Sequence, residues 1–469
     1  MSVPQCQGCR DRDAVIAALQ QQVTSLTTRV QDLEARLNQN SQNSSRPPST
    51  DLPNAPRPPA KKRSGRAPGG QPGHTACVRT RLPAERVNEV IPYIPSHCDR
   101  CQAALPADPQ PGDPEPSWHQ VAELPPVTAI ITEYQGHSRT CPCCGHVTHA
   151  AIPAAIRAHC IGPAFAATLS YFRGCHKVPM RGVEEISETV FGVPIALGTV
   201  VHLEKETTEA LATPHVEAVE AVRQADFKHI DETSWKEKGR RRWLWVAATA
   251  TVAAFLICLR RGAVGLKALL GEVIKGTICS DRWSAYNIVS VYRRQVCWAH
   301  LKRDFQKCVE YGGESARVGR AGLRVIKEVF ELWHLFRGGG CTRQELIDRV
   351  DPIAARLHSW LEHGQRCAPS KVATFCENLL KLAPALWKFV VCEGVEPTNN
   401  HAEQVLRRGV LWRKCSFGSQ SDAGCRFVER MLTAVQTLRL QKRPVLAWLT
   451  EALTAHRNHL PVPSLLPTD

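Results

Sequence analysis

Segment 226–281 constrains the fold more than any other part of this sequence, because it combines apolar, strand-like runs with acidic residues at their ends. Residues 226–231, 242–249 and 252–260 are separated by short charged or polar turns, a pattern that predicts three consecutive strands. A helix near 266–273 and a short strand over 277–280 follow, and "YRRQVCWAH" supplies another strand. We expect Asp231 to close the first strand and Asp281 to follow the fourth.

Three strands able to pair antiparallel, a helix and two further strands are the order of a ribonuclease-H-like fold. That fold carries one acid on its first strand and a second at the end of its fourth, so Asp231 and Asp281 are expected side by side across the sheet. Carboxylates placed in this way repel each other unless a divalent cation neutralises them, and hard oxygen ligands favour Mg²⁺ or Mn²⁺. A third carboxylate is therefore expected from a later helix that packs on the sheet.

The stretch "PTNNHAEQVLRR" fits that requirement. Its first three residues have turn and N-cap chemistry, and a helix that begins at Asn400 places Glu403 one turn inside it. Taken alone, Glu403 is most simply the i, i+4 partner of Arg407, a solvated pair worth about 0.3–0.5 kcal/mol. Together with Asp231 and Asp281 it becomes the third ligand of two metal ions about 3.5–4 Å apart, which catalyse in-line phosphoryl transfer.

A heptad pattern near the N-terminus predicts a leucine zipper over residues 10–40. Apolar residues recur there at alternating steps of three and four, the spacing that keeps one seam facing a partner helix, and the β-branched and Leu choices favour a parallel dimer. A helix that packs on its own domain is the alternative. The seam consists of Ile16, Leu19, Val23, Leu26, Val30, Leu33 and Leu37.

The next segment, residues 41–83, is rich in Asn, Ser, Pro and Gly and contains a cluster of Lys and Arg, which predicts a disordered basic linker. It serves either as a solubilising connector or as a non-specific contact for phosphates. The whole chain has 59 Lys and Arg against 44 Asp and Glu, a formal charge of +15 that favours a polyanionic partner.

Two cysteine pairs within residues 84–150 predict a small zinc ribbon. A C-x-x-C knuckle lets two thiolates reach one tetrahedral ion, and two knuckles complete a closed structural site that leaves no position for a substrate. We expect strands between the knuckles, in "VAELPPVTAIITEY". Cys143 is then spare, while His97 and His146 are adjacent substitutes. The predicted ligands of one Zn²⁺ are Cys98, Cys101, Cys141 and Cys144.

Residues 151–225 are predicted to be helical, with a break at Pro179, a second helix near 181–191 and a third from about Leu197. Such helices form either a helix-turn-helix-like DNA reader or a packing collar. The apolar stretch 243–259 approaches membrane length, but its flanking arginines and its Thr and Val content favour buried strands. Twenty cysteines spread over 469 residues without a signal peptide predict a reduced, cytoplasmic protein, nucleoid-associated and without a membrane partner.

Several blocks together resemble the transposases of the insertion-sequence-66 family. They are "DETSW", "GTICSDRWSAY", "CWAHLKRDF" and "PTNNHAEQVLRRGVLWRKCSFGSQSDAG", preceded by the zipper, "NSSRPPS", "GGQPGH" and the paired knuckles. The resemblance covers nearly the whole chain in the family's order. It implies a DDE transposase that cuts the terminal inverted repeats of its own element and joins them to target DNA, with small accessory proteins of that element as further partners.

The resemblance also implies roles for particular residues. Asp231, Asp281 and Glu403 would be the DDE triad, within a catalytic domain of residues 226–450 that is followed by a C-terminal tail, 451–469. An all-helical insertion over about 306–395 would separate the second and third acids. One departure is visible, because the family usually has Arg directly after the third acid and this chain has Gln404.

Basic and polar residues around these blocks are candidates for DNA contact. His300 and Arg303 would meet phosphate or the scissile strand, or else serve the start of a helix. Arg413 and Lys414, expected in a loop after the acid-bearing helix, would meet the DNA backbone, as would Asn400 and Arg407 on that helix. The tryptophans of the sheet are expected to pack in the core rather than stack on flipped bases; they are Trp235, Trp243 and Trp245.

Two other functions use the same features. One is a zipper-dimerised zinc protein that only binds or represses DNA and whose catalytic domain has decayed. The other is a nuclease on the same fold that cleaves without strand transfer. The presence of all three acids in their expected settings favours the active transposase.

Overall fold

The computed structural model describes residues 7–37 and 80–467. The chain divides into two compact units, one of residues 57–129 and the other of residues 1–56 and 130–469. The predicted basic linker lies outside the described residues except for residues 80–83.

The first helix, α1 (Gln7–Leu37), covers residues 10–37 of the predicted zipper, and residues 38–40 lie outside the described part of the chain. Its seam side chains at positions 16, 19, 23, 26, 30 and 33 are 45–61% exposed in the single chain. An isolated helix gains nothing from such an apolar stripe, so the stripe needs a partner to be buried. The helix is present as expected, and its pairing with a second copy stays a prediction.

Residues 80–129 contain little regular structure. They form a 3₁₀ turn over Ala84–Arg86 and a bridge between His97 and Ala104, and the side chain of Gln120 exchanges hydrogen bonds of 2.8 and 3.2 Å with the backbone of Leu82. The strands expected in 121–134 are absent, so that prediction was wrong. The reason is local, because the Pro-Pro step at 125–126 has no backbone N–H to give to a strand ladder.

A short hairpin flanks the second cysteine knuckle. Strands β1 (Ser138–Thr140) and β2 (Val147–His149) pair antiparallel, with Arg139 opposite Thr148. The two strands are exposed along their whole length. The strands of this region therefore flank the knuckle at Cys141, one before it and one after it, and the expected strands in 121–134 are not formed.

Five strands form the central sheet, in the order β5-β4-β3-β6-β7. The first three pair antiparallel, and β3, β6 and β7 run parallel. Their bounds are β3 (Phe227–Glu237), β4 (Arg240–Ala248), β5 (Ala253–Cys258), β6 (Thr277–Ser280) and β7 (Arg294–Val296). The apolar stretch 243–259 is thus strand, as expected, and among the described residues we find no helix long and apolar enough to cross a membrane.

Strand β3 is longer than the sequence indicated. Asp231 does not close it, because the strand continues to Glu237 and turns tightly through Lys238 and Gly239, whose φ angles are 48° and 75°. Positive φ at both turn residues is the geometry that matches the twist of a two-residue hairpin. Asp231 consequently lies in the middle of a central strand.

Helices surround the sheet and fill the remainder of the chain. Those before and within the sheet are α2 (Ala154–Arg157), α3 (Pro163–His176), α4 (Met180–Phe191), α5 (Leu197–Ala210), α6 (Ala212–Gln224) and α7 (Ala263–Leu270). Those after it are α8 (Trp298–Glu310), α9 (Gly313–Arg337), α10 (Arg343–Cys367), α11 (Ser370–Lys381), α12 (Ala383–Leu386), α13 (Lys388–Val391), α14 (Asn400–Ser416), α15 (Asp422–Leu440) and α16 (Val445–Arg457).

Helix α15 covers the edge strand β5 through hydrogen bonds as well as apolar contacts. The backbone N–H groups of Ala253 and Phe255 donate to the hydroxyls of Thr437 and Thr433, respectively, at 3.0 Å. The N–H of Ile257 donates to Glu429 Oε1 at 2.5 Å. Four helical residues rise about 6 Å and two strand residues about 6.6–6.8 Å, so the two ladders stay in step. The open edge of the sheet is thereby satisfied and protected.

Two hydrophobic cores follow from this arrangement. One joins the sheet to α3, α5, α6, α7 and α14–α16, while the other lies mainly among α8–α13. Helices α3 and α6 pack on α16 and β5, respectively. Segment 151–225 therefore packs on the sheet domain as a collar, and its reading of DNA stays a prediction.

Candidate active site

The parallel register of β3 and β6 brings the first two acids to neighbouring positions. His229 lies opposite Cys279, the last pair of that ladder. Asp231 lies two residues further along β3, and Asp281 directly follows the last residue of β6, so the same register carries both carboxylates to one end of the sheet. The sequence predicted this juxtaposition from strand order alone.

Asp231 is the most strongly perturbed acid of the site. Burial raises the pKa of its carboxyl well above the usual value, and the charges of Glu232, Asp281 and Glu403 raise it further. Only the backbone N–H of Glu232, which donates to Asp231 Oδ1 at 2.8 Å, acts in the opposite direction. The charges of all three predicted triad members therefore meet at Asp231.

Glu403 reaches this edge because Asn399 fixes the start of α14 to β3. The Asn399 side chain is fully buried, donates from Nδ2 to the Ile230 carbonyl at 2.7 Å, and places Oδ1 3.1 Å from His229 Nδ1. The helix begins at Asn400, as expected. Asn399 has no side-chain bond to its own helix, so it acts as a long-range clamp rather than as the N-cap that the sequence indicated.

The ionic neighbour of Glu403 is also different from the simplest sequence interpretation. Among the described residues, the Glu403 carboxylate pairs with His300 and not with Arg407. The distance from His300 Nδ1 to Glu403 Oε1 is 3.7 Å. Arg407 is exposed on α14. The solvated i, i+4 pair is therefore not formed.

Ligand-atom spacing distinguishes two groups at this edge. Cys297, His300 and Glu403 can bring one ligand atom each within 4.8 Å of one another, and they are the one such group of three among the described residues. Asp231, Asp281 and Glu403 do not meet that limit, so at least two of their carboxylates are further apart.

A cleft of about 350 Å³ opens beside Asp281. Predicted contact residues His300 and Arg303 line it, and the others on its walls are Arg282, Trp283, Asp304 and Lys307. Arg282 is held by Asp304 at 2.8 Å, whereas Arg303 and Lys307 form no ion pair with any acid in the described part of the chain. The cleft thus offers positive charge beside Asp281, as a phosphate backbone would need.

Glu232 is a buried acid that the sequence did not single out. Its carboxylate accepts the Tyr286 hydroxyl at 2.5 Å and pairs with Arg261 at 2.8 Å. Arg261 in turn lies over the rings of Trp243 and Trp283, 4.9 and 4.1 Å from their centroids. This network supports the wall of the cleft. The sequence "DET" alone does not tell which of its two acids, Asp231 or Glu232, is the candidate catalytic residue.

The predicted DNA contacts on α14 fall into two kinds. Asn400, Arg407 and Lys414 are exposed. Arg413 instead donates from Nη1 to Thr233 Oγ1 at 2.8 Å and to both the carbonyl and the hydroxyl of Ser234 at 2.5 Å. The loop expected at 413–414 was wrong, because α14 continues to Ser416 and turns its last arginine onto β3.

Two of the tryptophans considered for base stacking are core residues. Trp235 and Trp245 are fully buried, as expected, and Trp243 is partly buried between arginines. Trp283, which follows Asp281 by two residues, is 40% exposed and lies on the cleft. Among the residues that line the cleft, Trp283 is therefore the aromatic ring open to a ligand, and the sequence had not singled it out.

Each cysteine knuckle can be described by itself. In the first, the Gln102 N–H donates to the Cys98 carbonyl, and hydrogen bonds from the backbone of Cys101 and Arg100 lower the pKa of the Cys98 thiol. In the second, the Gly145 N–H donates to the Cys141 carbonyl, and backbone hydrogen bonds from Cys144 and Cys143 lower the pKa of Cys141. The first cysteine of each knuckle therefore favours the thiolate, the form that binds zinc.

Comparisons with known proteins place these features in a family. Residues 159–426 match the model described as "Transposase IS66 family", and residues 2–80 match a family of unknown function, DUF6444. The chain is 26% identical over 268 residues to uncharacterized protein y4qI of Sinorhizobium fredii, covering 50% of this chain and 49% of that protein. It is 26% identical over 336 residues to uncharacterized protein y4hP of the same organism, covering 64% and 60%. The chain thus spans about half to three fifths of the length of these relatives.

Proposed function

Because the chain belongs to the IS66 transposase family, we propose that it is a DDE transposase that cleaves the ends of its element and joins them to target DNA. The observation that carries this proposal is the convergence on Asp231, whose pKa is raised by burial and by the charges of Glu232, Asp281 and Glu403. Family membership supports a DNA-processing activity, and the three acids supply the chemistry for it.

The donor set fits divalent cations. Asp231, Asp281 and Glu403 offer hard oxygen ligands, and their mutual repulsion is relieved by a nearby positive charge. Two Mg²⁺ or Mn²⁺ ions bound there would activate the attacking water or DNA 3′-hydroxyl and stabilise the leaving oxygen. The sheet order β5-β4-β3-β6-β7, with the acids on β3 and directly after β6, supports a ribonuclease-H-like catalytic domain.

The chain's own residues would hold the DNA. Arg303 and Lys307 line the cleft beside Asp281, which suits them to backbone phosphates, and Arg407 and Lys414 extend positive charge along α14. The net charge of +15 supports fast association with DNA and a strong dependence on salt. The proposed substrates are the terminal inverted repeats and the target duplex.

The N-terminal part would assemble and stabilise the enzyme. The exposed apolar seam of α1 supports dimerisation through a second copy of the helix. Each cysteine knuckle offers a pair of thiolates to a structural Zn²⁺, which would supply folding energy and no catalysis. Small accessory proteins of the same element are further proposed partners.

A metal-dependent strand-transfer assay with element-end DNA tests the triad. Glu403→Gln keeps the shape of the side chain and removes its charge, so we expect loss of cleavage and joining with retained DNA binding. Glu393→Gln, an exposed acid ahead of α14, is the matched control and should behave as wild type. Full activity of Glu403→Gln would refute the triad, and cleavage without joining by the wild type would favour a nuclease. Binding without cleavage, unchanged by Asp231→Ala, would favour a DNA-binding protein.

A further inference from the structure

Within the described part of the chain, His300 carries a buried nitrogen that lacks a hydrogen-bond partner. It lies in the first turn of α8, and its side chain is 27% exposed, yet Nδ1 itself is buried without a hydrogen bond. A buried polar atom left unpaired costs about 1–3 kcal/mol, so few remain without a functional reason. The question is what this nitrogen binds.

The nearest anionic group is the Glu403 carboxylate, with Oε1 3.7 Å from His300 Nδ1. That separation is too long for a hydrogen bond. Two donors that each bind one ion at about 2.1 Å are about 3.0 Å apart at a right angle and about 4.2 Å apart when opposite. A distance of 3.7 Å lies between these limits, so one cation fits between the two groups.

Neither of the other nearby candidates competes for this nitrogen. A DNA phosphate, the contact expected from the sequence, is too bulky to meet a buried ring nitrogen, whereas a single small cation held by the 41% exposed Glu403 carboxylate would lie next to it. Cys297, the third member of the group, is fully buried, and its Sγ already accepts the Asn399 N–H at 3.1 Å. The pair formed by His300 and Glu403 is therefore the part of the group that is open to an ion.

We propose that His300 Nδ1 and the Glu403 carboxylate bind the same divalent cation, which adds a nitrogen ligand to the oxygen ligands of the three acids. This inference rests on the proposed function and makes His300 a metal ligand rather than a DNA contact. Mg²⁺ takes oxygen ligands, whereas imidazole suits transition metals. His300 consequently shifts the selectivity of the site away from Mg²⁺ and towards a transition-metal ion.

Mn²⁺ bound to the full-length, tag-free protein tests the inference without any assay of activity. Pulsed electron paramagnetic resonance detects nitrogen nuclei bound to Mn²⁺ through the modulation of the spin echo. We expect a directly bound ¹⁴N in the wild type that becomes ¹⁵N when the protein is grown with ¹⁵N-histidine. His300→Gln should lose the signal, and His300→Ala should bind Mn²⁺ at least about tenfold more weakly, the lower bound known for removing even an outer-shell partner of a metal.

His358→Ala is the matched control, because His358 is 54% exposed and also faces a glutamate, Glu362, at 3.5 Å. It should keep the nitrogen signal. Mn²⁺ that binds with dependence on Asp231 and Asp281 but shows no histidine nitrogen would overturn the inference and leave the triad standing. A histidine signal that persists after both aspartates are changed to Asn would support the inference and count against the triad. Absence of Mn²⁺ binding by the wild type would overturn both.

Discussion

Asn399→Ala should separate the assembly of the site from its chemistry. The side chain is 1% exposed and makes two bonds to β3, to the Ile230 carbonyl at 2.7 Å and to His229 Nδ1 at 3.1 Å. Loss of a partner from a buried polar group costs about 1–3 kcal/mol, so the two together give about 2–6 kcal/mol before water enters the space. That is a large share of the stability of a typical domain, about 5–15 kcal/mol.

Urea unfolding followed by tryptophan fluorescence measures this effect, and hydrogen exchange of the peptide spanning β3 locates it. We expect a lower urea midpoint, faster exchange in β3, and weaker metal binding because Glu403 loses its fixed position. Asn400→Ala is the control, since this exposed neighbour belongs to the same motif and should change stability by less than about 0.5 kcal/mol. An Asn399→Ala protein with wild-type stability but no strand transfer would refute the clamp and assign Asn399 to the DNA.

Three further predictions concern other parts of the chain. Lys414→Ala should keep the wild-type urea midpoint and reduce the salt dependence of DNA binding by about one phosphate contact, while Arg413→Ala should lower the midpoint because its bonds to β3 are lost. Burial lowers the pKa of His215, so the unfolded chain takes up a proton at a higher pH than the folded protein does. The free energy of unfolding therefore falls as the pH drops below about 6.5, and His215→Gln should flatten that fall in urea titrations. Cys98→Ser should reduce the zinc content measured by mass spectrometry, and an unchanged content would exclude this cysteine as a ligand.

The sequence predicted the parts of the site that depend on strand order. Asp281 follows a strand over Thr277–Ser280, as expected, and the family resemblance is confirmed by the match over 159–426. Local patterns fail where a neighbouring segment decides the outcome. Lys238 adopts a left-handed conformation that its residue type does not signal, so the extension of β3 beyond Asp231 was missed.

The end of α14 carried a signal that was available. Phe417 has a φ of 57° and is followed by Gly418 at 109°, and a glycine near a left-handed residue is typical of a helix C-terminus. That pattern places Arg413 within the helix. Its bonds to Thr233 and Ser234 join residues about 180 positions apart, which no local pattern predicts.

The sequence assigned N-cap chemistry to Asn399 and DNA contact to His300, because local patterns do not reveal contacts between distant segments. One such contact also shows how the site is held together. Residues 297–298 and 397–399 form one buried junction, in which the Trp298 N–H donates to the Pro397 carbonyl at 2.9 Å and the Asn399 N–H donates to Cys297 Sγ at 3.1 Å. This junction starts both α8, which carries His300, and α14, which carries Glu403. Since the Asn399 side chain fastens it to β3 next to Asp231, the acids and the imidazole are positioned by packed backbone rather than by mobile loops. Such a scaffold holds these side chains in place before any ligand binds.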